Sequence, residues 1–177
     1  MNHSVTGELS DRMKQINEQL IAVLQRSSDE QLYWRQGPTT PSIGFHIWHV
    51  ARWADRNQAL LSNLGTSAAT GTEVWESDDP AKKWGLATAT LGVGETGLGM
   101  GDEAATGFNL PAKEELLDYI EHTFGLLDER YSAIDDSLLR TEVADANGRS
   151  NVVASMLLSH LTHASRHLGM AEALLGV

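Results

Sequence analysis

Three histidines fall within eight residues near the C-terminus, His160, His163 and His167 in SHLTHASRH, and two more, His46 and His49, stand together in FHIWH. Five of the seven histidines of the chain therefore lie in two patches. A helix turns about 100° per residue, so offsets of three, four and seven place all three C-terminal imidazoles within roughly 60° of one another on one face. Two such helices packed together can close a metal site. A lone histidine in a helix is ordinarily a packed residue whose ring nitrogens have found partners. Several imidazoles crowded against a core leave polar nitrogens unsatisfied unless something binds them, and a cation satisfies them at once.

The composition narrows what such a site can be. The chain has no cysteine, which removes disulfides, thiolate zinc sites and a cysteine nucleophile, so any metal is held by nitrogen and oxygen. Neutral imidazole suits zinc, nickel, copper and iron, and three protein ligands that leave a position free are the pattern of a reactive site rather than a structural one. A di-iron carboxylate bundle needs Glu-x-x-His on two helices, and no histidine here has Glu three residues before it. The net charge of −11, with no Lys/Arg stripe, opposes nucleic acid as a partner. No apolar stretch approaches a membrane span and the first residues do not resemble a signal sequence, so a soluble, cytoplasmic protein with no membrane partner is expected.

The elements that must carry these residues are helices. At 177 residues the chain is read as one domain over 1–177. Leu9, Met13, Ile16, Leu20, Val23 and Leu24 recur at spacings of three and four, which predicts a first helix over Val5–Arg26. Thr40 followed by Pro41 resembles an N-cap with proline at the first helical position, so a second helix is expected from Pro41 to Leu64, stopped by Gly65. A third helix is expected from Pro111 through Ile134, with Glu114 and Glu115 in its first turn. After the turn signal Ala146-Asn147-Gly148, Ser150 is expected to cap a last helix that carries the histidine run. Four amphipathic helices make an all-α four-helix bundle.

Between the second and third helices lie about 45 residues, 65–110, far beyond an ordinary helix connection. Asp79-Pro80-Ala81-Lys82-Lys83-Trp84 reads as a short capped helix, and this first half of the crossover is expected to pack over one end of the bundle. The second half, GLATATLGVGETGLGMGDEAATG, is expected to be mobile or irregular. It contains a G-x-G-x-x-G match at Gly92, Gly94 and Gly97. With no preceding strand and no helix opening after it, that match is read as flexible loop rather than dinucleotide site.

SIGFHIWHVARWADR, WESDDPAKKWGL and HASRHLGMAEALLG together resemble the DinB-like superfamily of damage-inducible bacterial proteins. The resemblance covers nearly the whole chain and implies a four-helix bundle with a long crossover between helices 2 and 3, often dimeric, so a homodimer is expected. It also implies the ligand set: a histidine of the second helix with two residues spaced by four in the last, which here are His49, His163 and His167, followed by the family's Gly169. His46 and His160 then become neighbours of the site or plain packing residues. The implied activity is that of a divalent-metal enzyme, with zinc or nickel first and iron, manganese or cobalt as alternatives. A low-molecular-weight thiol would serve as cosubstrate, in transferase or isomerase chemistry on a small molecule. The rivals are a metal-dependent hydrolase and a non-catalytic stress-response bundle with a structural or incidental metal.

Around that site Trp53 shares the stripe of His46 and His49, while Trp75 and Trp84 on the crossover are candidates to line a pocket beside the metal; Trp48 is read as core. Arg52 and Arg166 either orient an anionic substrate or neutralise surface carboxylates. Asp55, about 120° around the helix from His49, is a poor fourth ligand.

Overall fold

The computed structural model describes residues 4–62, 64, 71–144 and 150–176. Four long helices form a bundle: α1 (Val5–Arg26), α3 (Ile43–Leu61), α7 (Lys113–Ser132) and α8 (Val153–Leu175), with the short helices α2 (Asp29–Tyr33), α4 (Val74–Ser77), α5 (Pro80–Lys83) and α6 (Asp102–Gly107) between them. Two three-residue strands, β1 (Glu142–Ala144) and β2 (Ser150–Val152), pair antiparallel with Val143 opposite Asn151.

α1 follows the predicted boundaries because its ends are capped. Ser4 Oγ accepts from Gly7 N, and the Asp136 carboxylate accepts from Val5 N and Thr6 N. Met13, Ile16, Leu20, Val23 and Leu24 are buried along its inner stripe. α2, unforeseen in the sequence, is a single turn closed by a capping box between Ser28 and Gln31.

α3 starts two residues later than the Thr40–Pro41 signal suggested. Ser42, buried at 2 % exposure, is the residue whose hydroxyl accepts from Phe45 N, and Pro41 precedes the cap. The helix ends at Leu61; Gly65 and the Ala146–Gly148 turn lie outside the described residues. Ser150 is likewise not a cap. It belongs to β2, and α8 begins at Val153, whose amide donates to Thr141 O. A glycine, Gly176 in the left-handed conformation, ends α8.

α1 packs against both α7 and α8, α3 packs against α7, and α3 and α8 pack directly on each other. This last contact brings FHIWH against SHLTHASRH. The core between the helices includes Leu20, Ile47, Leu116, Ile120, Phe124, Val153 and Leu157.

The crossover is built into the bundle rather than hung from it. α4 packs on α3, and Trp75 and Ala81 join the core. α5 forms as expected, with Asp79 capping Lys82 N and Pro80 in the first turn. The glycine-rich half is largely irregular, as expected, with a 3-10 turn over Thr88–Thr90, an isolated bridge between Val93 and Leu98, and the short α6 that the sequence reading did not foresee. Gly97 shows why glycine is required: its φ is +87°, and a Cβ there would stand 2.7 Å from Phe45 Cζ and 2.9 Å from Trp48 Cζ3.

Candidate metal centre

His49 on α3 and His163 and His167 on α8 each direct a ring nitrogen into one space, and the three nitrogens lie within 4.8 Å of one another. Nε2 of His49 and Nε2 of His163 are 3.1 Å apart. A tetrahedral zinc with bonds of about 2.0–2.1 Å requires nitrogens about 3.3 Å apart, so the His49–His163 pair already has a spacing that suits two ligands of one ion. Nδ1 of His46 sits 2.9 Å from Nδ1 of His167, one turn before His49 on the same helix. The Phe45 ring stacks on His49 with 9° between planes, and Trp53 meets both His49 and His163 edge to face.

The protonation of His49 follows from its partner. His49 Nδ1 lies 2.5 Å from the backbone carbonyl of Thr96, and a carbonyl can only accept. Nδ1 therefore carries the proton and Nε2 presents its lone pair toward His163. Thr96 is fully buried and belongs to the glycine-rich crossover. Nothing in its own residue type announced it; the usable signal was the run of glycines at 92, 94 and 97, which lets the backbone turn tightly against α3.

The cluster is electrically suited to a cation. Burial pushes His163 and His167 down to about 3 and His46 to about 4, with neighbouring imidazoles adding to the effect, and burial lowers His49 as well. All four rings are neutral at pH 7, with lone pairs available to a metal. His160 is buried, its ring is pushed down to about 4 by desolvation, and its Nε2 has no partner among the described residues. Its ring centroid is 6.4 Å from that of His163, so it adjoins the cluster without entering the group of three. Arg166 is exposed beside the site and contributes to lowering His163 and His167.

Arg52 neutralises carboxylates, but within the fold rather than at the surface as expected. It is 1 % exposed, and its guanidinium donates to Asp55 Oδ2 at 3.0 Å, Glu73 Oε2 at 2.8 Å, Tyr119 Oη at 3.2 Å and the carbonyls of Glu95 and Gly94 at 3.1 and 3.3 Å. It is therefore not available to orient an anionic substrate. Asp55, fully buried, is no ligand either: its carboxylate accepts from Val74 N and Trp75 N, both at 2.8 Å, and so caps α4, whose own Glu73 makes no cap bond.

The crossover tryptophans also differ from expectation. Trp75 is a core residue packed on Trp48, Trp84 and Tyr119, with the Arg52 guanidinium 4.4 Å from its ring centre. Trp84 lines a cavity of about 300 Å³ with Asp78, Glu115, Asp118 and His122, and none of the three clustered histidines is in that wall. The aromatic walls of the histidine cluster are instead Phe45 and Trp53.

A family model for the DinB superfamily matches residues 12–171. The chain belongs to the DinB superfamily. Its fold is also similar to that of a conserved protein from Enterococcus faecalis, with a TM-score of 0.76 at 19 % identity over 97 % of this chain and 95 % of the other. Comparison with curated proteins finds no match. Membership gives the bundle and agrees with a histidine group able to hold a metal; it leaves the reaction to be argued from the site. Among the described residues, no helix of this DinB-superfamily chain is long and apolar enough to cross a membrane.

Proposed function

We propose that His49, His163 and His167 hold one divalent cation and that the protein is a metal-dependent enzyme of the thiol-dependent transferase or isomerase type, acting on a small molecule. The observation that carries this reading is the His49–Thr96 hydrogen bond, which fixes the lone pair of Nε2 toward His163 within a group of three neutral imidazoles. Such a fixed tautomer is what a ligand requires and what a packing residue does not. The nitrogen donors favour zinc or nickel, with iron, manganese or cobalt as alternatives set by supply.

When bound, the ion supplies Lewis acidity that lowers the pKa of a thiol or water beside it. The residues of the chain do the rest. Three neutral ligands leave the full double charge of a cation uncompensated, which suits capture of an anionic thiolate. Phe45 and Trp53 give the His49 side of the site an apolar wall, while His163 and His167 are only partly buried and leave an approach for a small molecule.

Reconstitution with cobalt(II) followed by titration with low-molecular-weight thiols tests this. The expected result is one cobalt per chain and a thiol-dependent change in the visible spectrum. A spectrum that responds to hydroxide but to no thiol would replace the transferase reading by hydrolysis, and one that responds to neither would leave a closed, non-catalytic metal.

A further inference from the structure

We propose that Arg52 and Trp75 are positioning residues of the metal centre, acting through the backbone of the Val93–Leu98 turn to hold Thr96 O against His49. The inference rests on the metal reading given above and adds to it the part of the chain that sets the geometry of the first ligand.

The turn is a small closed unit. Val93 N donates to Leu98 O at 2.8 Å, Gly97 N to Leu91 O at 2.7 Å, and Thr96 Oγ1 to Val93 O at 2.8 Å. It is fastened to the bundle by Arg52 and Trp75. Arg52 Nε donates to Glu95 O, the carbonyl immediately before that of Thr96, and Arg52 Nη2 donates to Gly94 O, one residue earlier. Trp75 Nε1 donates to Glu95 Oε2 at 2.6 Å. Glu95 has a φ of +55°, which an L-residue adopts only where its surroundings hold it.

Arg52 lies one turn beyond His49 on α3, so the same stretch of helix presents the ligand and the clamp. The remaining donors of Arg52 are anchored by Asp55, Glu73 and Tyr119, and Asp55 in turn fixes the amide of Trp75. A buried ionic network therefore ends at the Glu95 carbonyl, one peptide before the Thr96 carbonyl that selects the His49 tautomer. Removing an outer partner of a metal-binding histidine typically costs about 10–100-fold in affinity.

Two readouts decide the matter on the full chain: the long-range ¹⁵N–¹H spectrum of His49 in metal-free protein, which reports the tautomer directly, and cobalt(II) affinity by competition with a chromogenic chelator. Wild type is expected to show His49 as the single Nδ1–H form. Trp75→Phe and Arg52→Met are expected to show mixed tautomers and cobalt binding weaker by about 10–100-fold, with Arg52→Lys falling between them and wild type. Leu20→Ala, in the core on α1, lowers stability without touching the turn and is expected to keep both signals. If Arg52→Met does not fold, Trp75→Phe and Arg52→Lys carry the test.

Wild-type tautomer and affinity in both Trp75→Phe and Arg52→Lys would overturn the proposal, as would an equal loss in Leu20→Ala. Should wild type bind no cobalt while the tautomer changes occur as described, the metal reading fails and the positioning role stands.

Discussion

Nδ1 of His46 on α3 and Nδ1 of His167 on α8 are 2.9 Å apart, so one ring donates to the other across the helix interface. If His167 donates, its Nε2 lone pair is free for a cation and His46 is the acceptor that orients it. The centre then has two outer partners of different kinds, a carbonyl for His49 and an imidazole for His167, and each leaves Nε2 as the metal-facing atom.

Replacement of His46 by Phe keeps the apolar contact with α8 and removes the acceptor. Metal affinity is expected to fall about 10–100-fold with stoichiometry unchanged at saturation, because no ligand is lost. Competition titration against a chelator checks this; affinity equal to wild type would mean that the 2.9 Å contact is packing.

Replacing His163 or His167 by Ala is expected to abolish stoichiometric metal binding and leave helical content nearly unchanged. Both side chains are only partly buried, and α8 is anchored by Val153, Leu157, Ala164, Leu168 and Ala171 on its inner stripe. Elemental analysis beside far-ultraviolet circular dichroism reads both quantities. Full metal retention in both variants would remove these residues from the site.

Periodicity alone was enough to read four long helices, and the three-and-four spacing of the histidines showed which faces of α3 and α8 meet. The residues that escaped are those whose role depends on backbone. Thr96 acts through its carbonyl, which every residue type possesses, so no side chain marked it. Arg52 looked like a surface charge because its partners at Glu73, Gly94, Glu95 and Tyr119 are distant in sequence. The caps at Ser42 and Val152 were misplaced for a related reason: Thr40, Pro41 and Ser42 offer adjacent cap signals, and only packing decides among them.

Asp55→Ala is expected to destabilise the protein by about 3–5 kcal/mol, because it removes one of the two carboxylates paired with the buried Arg52 guanidinium and uncaps α4 at once. Asp55 is fully buried and bonded to Arg52, Gln58, Tyr119, Val74 N and Trp75 N. Denaturant unfolding measures the loss. A change below about 1 kcal/mol, the level of an exposed pair, would mean that solvent reaches the network.

The metal-free protein is expected to lose stability between pH 6.5 and pH 4. His46 and His160 titrate near 4 and His163 and His167 near 3 in the folded chain, against 6.5 when exposed. In this window the unfolded chain binds protons that the folded chain refuses, so stability is complete above 6.5 and falls as the pH drops, by up to about 1.4 kcal/mol per pH unit for each histidine. Glu73 and Asp128, raised by burial, take up protons in the folded chain above their ordinary carboxylate values and so oppose this, but two carboxyl groups stand against four imidazoles. Denaturant unfolding at pH 4.5, 5.5 and 7 on chelator-treated protein gives the slope, and a flat profile would show that the imidazoles are hydrated.

His160 separates the neighbour from the ligands. It is 3 % exposed and its Nε2 has no partner among the described residues, and burial of such an unpaired polar atom costs about 1–3 kcal/mol. His160→Leu fills nearly the same space with apolar atoms, and the expected outcome is stability equal to wild type or up to about 1 kcal/mol higher at pH 7, with full metal stoichiometry. The same variant loses one histidine from the acid slope, which reduces the fall between pH 6.5 and pH 4. A ligand or an essential partner would behave in the opposite way, with metal lost and stability unchanged or lower. Unfolding curves at two pH values with metal analysis of the same preparations therefore distinguish the two roles of the one histidine in the C-terminal run that stands outside the metal-facing group.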